Sequence, residues 1–225
     1  MSKVQHFNDA IIEHSVHRQR DEFITQLQNR ENDILRLAAT KCGKATAQFF
    51  QSEARGQYYA RGSYNMSYFI EFTDGQRCVF RVPLRPSLAY CPRSKLECEV
   101  ATIQHLSDCT TIPVPKVLAY CSDSGPDPLS TFVILDHIDG KLLSPAGFYD
   151  LSADDRIKLY KALADVYIQP RRQEFPSIGK LKMGEKGVYI GEKTASIEMN
   201  MMQLEGLDPK LFTTISCSAN KPRVG

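Results

Sequence analysis

A chain of 225 residues, 42% apolar and 24% charged, has the composition of an ordinary globular protein and can bury one large core or two smaller lobes. A formal net charge of +2 leaves no basic footprint for nucleic acid, and no apolar run is long enough to span a membrane. Seven scattered cysteines without C-x-x-C spacing argue against a disulfide framework or zinc site and for a reducing compartment. The N-terminus has no apolar leader core and is too acidic for an import peptide, so the expected location is cytoplasmic.

Asn8 can cap a helix running to about Thr40, with Ile12, Val16, Phe23, Leu27, Ile34 and Ala38 near helical spacing and room for one break in its polar middle. Lys41 to Glu53 is expected as a connector around Gly43. Gln57 to Met66 is strand-like with one glycine, Gly62. Tyr68 to Phe72 alternates, Thr73-Asp74-Gly75-Gln76 is a tight turn, and Cys78 to Leu84 is a second hydrophobic run. Arg81 is the lone charge in that run; burying it demands a carboxylate, a bound anion, or both. Arg85 to Ser94 reads as a loop. Lys95 to Leu106 is an amphipathic helix presenting Leu96, Val100, Ile103 and Leu106. Pro113 and Pro115 open a strand through Tyr120, and Thr131 to Ile138 is another, closed by Asp139-Gly140. A third helix, Ala153 to Ile168, carries Ile157, Tyr160, Leu163, Ala164 and Tyr167, and Pro170 is expected to end it. From Arg171 periodicity fades, and Ser216 to Gly225 reads as a disordered tail.

In order and spacing, RGSYNMSYFIEF (61–72), VFRVPL (79–84), LECEVATIQHL (96–106), IPVPKVLAY (112–120), FVILDHIDG (132–140) and LYKALADVYI (159–168) resemble the aminoglycoside phosphotransferase family of the protein-kinase-like fold, particularly its fungal branch. The resemblance implies an α+β fold: a protein-kinase-like N-lobe of five antiparallel strands plus one helix, with an N-terminal helical extension and an incomplete helical C-lobe. The implied boundaries are a helical extension at 1–55, the N-lobe at 56–138, hinge and partial C-lobe at 139–212, and a disordered tail at 213–225.

It also implies an ATP site. Gly62, Ser63, Tyr64 and Asn65 match the phosphate-covering loop, where backbone N–H groups approach the phosphates. Arg81 stands where the family's strand lysine meets the phosphates, and its planar fork can bind a carboxylate while still facing phosphate. Glu99 matches the helix glutamate that pairs with that cation. Glu97 competes with it, but the two lie about 200° apart on a helix and Glu99 flanks the apolar face more closely. Asp136, His137 and Ile138 fall at the hinge that would hold the adenine edge, with His137 expected as a partly exposed side chain rather than a base or ligand.

Phosphoryl transfer also needs a positioning carboxylate and ligands for magnesium, which the family supplies from a His-Gly-Asp loop and an Asp-containing strand further on. No histidine follows His137, and Asp208, in GLDPKLF, is the one aspartate after Asp165. The expectation is therefore a truncated, pseudokinase-like chain that can hold ATP, lacks the magnesium ligands of a complete family enzyme, and does not turn over alone. The competing expectation is a non-catalytic interaction module that binds a protein partner, or itself, through the incomplete C-lobe. No nucleic-acid or membrane partner is expected under either.

Overall fold

The computed structural model describes residues 3–88, 92–140, 143–185 and 187–191. The N-terminal helix is two helices, α1 (Lys3–Gln28) and α2 (Glu31–Lys41), parted at Asn29 and Arg30. Helix α1 is already formed at Lys3, upstream of the expected cap at Asn8. Gly43, at φ +65°, takes the left-handed conformation that lets the chain leave α2.

A sheet of short and long strands follows: β1 (Ala47–Phe49), β2 (Tyr59–Arg61), β3 (Asn65–Phe72), β4 (Arg77–Pro83), β5 (Val117–Ser122) and β6 (Thr131–Asp136). Its order is β1-β3-β4-β6-β5, with β2 also on β3, and every pairing is antiparallel. The strand β1 lies inside the stretch expected as a plain connector. It pairs with Ile70 to Phe72 while β2 pairs with Met66 to Tyr68, so the two share one edge position and the sheet is five positions wide. Helix α3 (Pro92–Cys109) starts three residues before the expected Lys95, because Pro92 fits the first helical turn where no N–H is needed.

Strand alternation divides the sheet into two faces. Met66, Tyr68 and Ile70 of β3, Cys78, Phe80 and Val82 of β4, and Phe132 and Ile134 of β6 form one core with Phe23, Ile24 and Leu27 of α1 and Ile34 and Ala38 of α2. On the opposite face Val133 and Leu135 meet Leu96 and Val100 of α3. That smaller contact leaves the β2–β3–β4 part of the face uncovered by helix.

After the hinge come α4 (Pro145–Tyr149), α5 (Ala153–Arg171) and a hairpin of β7 (Leu181–Gly184) and β8 (Gly187–Ile190). The Ser152 hydroxyl caps α5 by accepting from the Asp155 N–H at 3.1 Å. Pro170 does not end the helix at Ile168; it sits in the last turn, where one lost hydrogen bond is tolerated. The hairpin was not expected from the sequence, and it packs beside α3, with Lys180 Nζ donating to Ser94 Oγ at 3.3 Å. No helix among the described residues is long and apolar enough to cross a membrane. Asp208 and the expected tail at 213–225 lie outside the described residues.

Candidate functional site

The uncovered sheet face floors a cleft of about 300 Å³. Antiparallel register sets its rows: Ser67 lies opposite Arg81, and Phe69 opposite Val79, which in turn faces Leu135. Pro115 and the hinge residues Asp136, His137 and Ile138 close one side. The turn between β1 and β2 closes another with Ser52, Ala54 and Arg55. That turn is tightened by the Gly56 N–H donating to the Ser52 carbonyl at 2.7 Å, with Gly56 at φ +65°.

Arg81 reaches Glu99 of α3, its Nη1 donating to Oε1 at 2.6 Å. Glu97 points elsewhere: it accepts from Arg93 Nε at 2.7 Å and from Ser122 Oγ at 3.2 Å. The Arg81 side chain keeps 32% of its surface, so it is not the fully buried charge that its hydrophobic run suggests. Every second residue of β4 faces this side, and the guanidinium opens to the cleft.

Lys95, which the sequence reading passed over, completes the cluster. Its Nζ lies 3.8 Å from Glu99 Oε2 and 3.4 Å from Asn65 Oδ1, at the end of the Gly62–Asn65 loop. Burial holds this ammonium below the ordinary lysine range; Arg81 adds to the effect and Glu99 opposes it. The available signal was the i, i+4 spacing of Lys95 and Glu99 on one helix face.

Gly62 to Asn65 is a tight turn between β2 and β3, with the Gly62 N–H donating to the Asn65 carbonyl at 2.9 Å. The Tyr64 carbonyl accepts from the Leu84 N–H at 2.9 Å, while the Tyr64 ring stays 57% exposed. Gly62 has no positive φ, and an added Cβ would meet only the Asn65 carbonyl at an ordinary 3.4 Å. The turn itself therefore does not require glycine there.

At the hinge, the Asp136 carboxylate accepts from the Lys116 N–H, and the Asp136 N–H donates back to the Lys116 carbonyl at 2.9 Å. The His137 N–H donates to the Arg77 carbonyl at 3.2 Å. Both N–H groups are engaged within the sheet, and Ile138 is the first hinge residue beyond them. His137 is partly exposed as expected, its imidazole keeping 10% of its surface, with Nδ1 3.2 Å from Asp139 Oδ1. Phe50 lies edge-on to it at 5.1 Å and Phe69 at 6.0 Å. Phe50 also carries the Arg77 guanidinium over its ring at 4.6 Å, and Arg77 in turn holds the Glu71 carboxyl below its usual range by a hydrogen bond. Phe50 was hidden in the supposed connector.

The antiparallel sheet with a helix packed on one face agrees with the comparison to known families. A model of the Phosphotransferase enzyme family matches residues 56–211. The chain belongs to this family. Among curated proteins it is similar to altered inheritance of mitochondria protein 9, mitochondrial, of Debaryomyces hansenii, 33% identical over 154 residues, 68% of this chain and 24% of that protein. The Meyerozyma guilliermondii protein of the same name is 29% identical over 60% of this chain and 24% of its own length. The Arabidopsis thaliana probable acyl-CoA dehydrogenase IBR3 is 25% identical over 61% of this chain and 17% of its own length. The chain thus spans about a quarter of the fungal relatives. Their names place those relatives in mitochondria, which overturns the cytoplasmic expectation. Scattered cysteines without C-x-x-C spacing do not separate the cytosol from the mitochondrial interior, so they could not carry that inference.

Proposed function

We propose that this chain is the nucleotide-holding lobe of its phosphotransferase-family domain, binding ATP in the cleft under β2–β4 and lacking turnover by itself. The observation that carries the reading is the half-open Arg81 guanidinium, fixed by Glu99 at 2.6 Å on the uncovered face of the sheet. Glu99 takes one edge of the planar fork and leaves other N–H groups to donate to phosphate oxygens. Phe69, Val79 and Leu135 supply an apolar floor for a base, and Ile138 offers backbone groups to its edge. Gly62, Ser63, Tyr64 and Asn65 would cover the phosphates, with no side chain at Gly62 to hold them off. ATP brings the transferable phosphoryl group; these residues bind and orient it.

Magnesium does not fit the same way. Among the described residues no three His, Cys, Asp or Glu side chains converge to hold a metal, and no His-Gly-Asp loop occurs in the sequence. No step is therefore assigned to a metal, and nucleotide binding should be weak and nearly magnesium-independent. Calorimetric titration of the chain with ATP, with and without magnesium, tests this. Arg81→Met should weaken ATP binding and spare adenosine, whereas a chain indifferent to both ligands would sink the reading. ATP-dependent phosphorylation of a small acceptor by this chain, abolished by Arg81→Met, would overturn the claim of no turnover. By analogy with the fungal relatives, we place the protein in mitochondria; localisation of a tagged copy checks this.

A second reading, an interaction module, is favoured by α5. Ile157, Tyr160 and Leu163 share a helical face yet remain 51%, 58% and 44% exposed. Association of the chain that Leu163→Lys abolishes, together with indifference to ATP, would favour this reading.

A further inference from the structure

The Arg81–Glu99 pair is one charge short of describing its surroundings. The first turn of α3 carries no acidic residue, although that is where a helix best accommodates one. It carries Lys95 instead, facing the same carboxylate as Arg81. Glu99 divides its two oxygens between the cations, Oε1 to Arg81 at 2.6 Å and Oε2 to Lys95 at 3.8 Å. Glu97 gives no help, since it turns to Arg93 and Ser122 on the other side of the helix. Among the described residues, another polar partner of Lys95 Nζ is the neutral Asn65 Oδ1, at 3.4 Å, near the outer limit of a hydrogen bond. Two cations and one carboxylate leave a surplus positive charge beside the Gly62–Asn65 loop. The Lys95 side chain keeps 32% of its surface, so an incoming group can reach it.

We propose that Lys95 is a second phosphate-binding cation of this cleft, acting beside Arg81 on the polyphosphate of a nucleoside triphosphate. The proposal rests on the nucleotide reading above and extends it to a residue on the helix rather than the sheet. A phosphate oxygen would replace the long contact to Asn65 with a charge-assisted hydrogen bond, and would neutralise an ammonium whose charged form burial disfavours. The rival role is purely structural: Lys95 would hold Glu99 in place and touch no ligand.

Calorimetric titration of the full chain with ATP, adenosine and inorganic tripolyphosphate separates these. Lys95→Met should weaken ATP and tripolyphosphate by about tenfold or more, the size of one charge-assisted hydrogen bond. It should leave adenosine unchanged, and Lys95→Arg should restore most of the loss. Unaltered tripolyphosphate affinity in Lys95→Met, or a parallel loss of adenosine, overturns the proposal. Should Lys95→Met fail to fold, Lys95→Gln carries the same comparison. A wild-type chain that binds tripolyphosphate through Lys95 but not adenosine removes the nucleotide reading and keeps the anion site. One that binds adenosine but no tripolyphosphate does the reverse, and binding of neither ends both.

Discussion

The two faces of the sheet are built from the same strands and have opposite tasks. On β4, Phe80 is fully buried under the N-terminal helices, while its neighbour Arg81 opens to the cleft. On β3, Tyr68 is fully buried beside Ser67, which lines the cleft. The covered face holds the large core, and it keeps its polar groups quiet: burial pushes the Cys78 thiol up to about 12, so it stays neutral. The open face has a small core under α3 and a cluster of charges. Because strand side chains alternate, stability and ligand contact can be carried by adjacent residues with little overlap. The family match begins at residue 56, yet Phe23, Leu27, Ile34 and Ala38 of the preceding helices close the covered face. In this chain the kinase-like sheet buries one of its two faces against those helices.

The sharpest way to break this division is to cut both faces on one strand. Phe80 stacks on Phe132 with ring centroids 4.6 Å apart, and both rings are buried. Phe80→Ala should cost about 3–5 kcal/mol in urea unfolding. Arg81→Ala should cost much less stability while removing the proposed anion contact. Equal losses from the two would mean that the faces are not separable.

A smaller effect tests the open face alone. Glu99→Ala strands Arg81 and Lys95 together and should destabilise by about 1–3 kcal/mol, below the value for a fully buried pair because solvent reaches these side chains. Glu97→Ala should cost less, since it leaves one neighbouring cation, the 55% exposed Arg93, and the neutral Ser122 hydroxyl, rather than two sheltered cations. Chemical denaturation of both variants decides it, and the reverse ranking would move the functional pairing to Glu97.

The open face was legible in the sequence where a single angle decided the matter. Glu99 and Glu97 differ by two helical steps, and the apolar positions Leu96 and Val100 told which one turns inward. The antiparallel sheet with one helix followed from matched segments, and the α1–α2 break from a polar middle. What stayed hidden was short or shared. The strand β1 has three residues, too few to show alternation, and Phe50, which follows it, was hidden with it. The hairpin β7–β8 gains its place from α3 rather than from its own pattern. Lys95 looked like a solvated helix start because only the fold brings Asn65 and Arg81 beside it. Nothing in the sequence announces that Phe50 and Phe69 stand edge-on to the partly exposed His137.

Acid should act on the covered face through Asp127, at a smaller scale. Its carboxyl is held below the usual range first by the Leu129 N–H, at 2.7 Å, and then by Arg30 at the α1–α2 junction. A depressed folded value means that this contribution is fully present above the unfolded carboxylate value of about 3.9 and is lost as pH falls through the folded one. Asp127→Asn should therefore lower stability modestly at neutral pH and converge on the wild type in acid, flattening the acid dependence below about pH 4. Asp127 is half exposed, so the loss is modest and screened by salt. Unfolding midpoints compared at pH 7 and pH 3 check it; an unchanged acid slope in Asp127→Asn would detach the helical clasp from this residue.

The smallest expected effect on stability is at Gly62, and it sharpens the comparison most. Glycine is present there without a positive φ and without a neighbour closer than 3.4 Å to an added Cβ. Gly62→Ala should therefore leave the unfolding midpoint within about 0.5 kcal/mol of wild type. By contrast Gly75, at φ +82° in the β3–β4 turn, should lose stability on the same change. If the open face is a ligand face, the Gly62 methyl will be felt only when a phosphate approaches the loop, as weaker ATP binding with adenosine binding unchanged. A Gly62→Ala chain that binds ATP as tightly as wild type would mean that the phosphates do not pass under this turn. Arg81 would then have to meet its anion from the helix side alone.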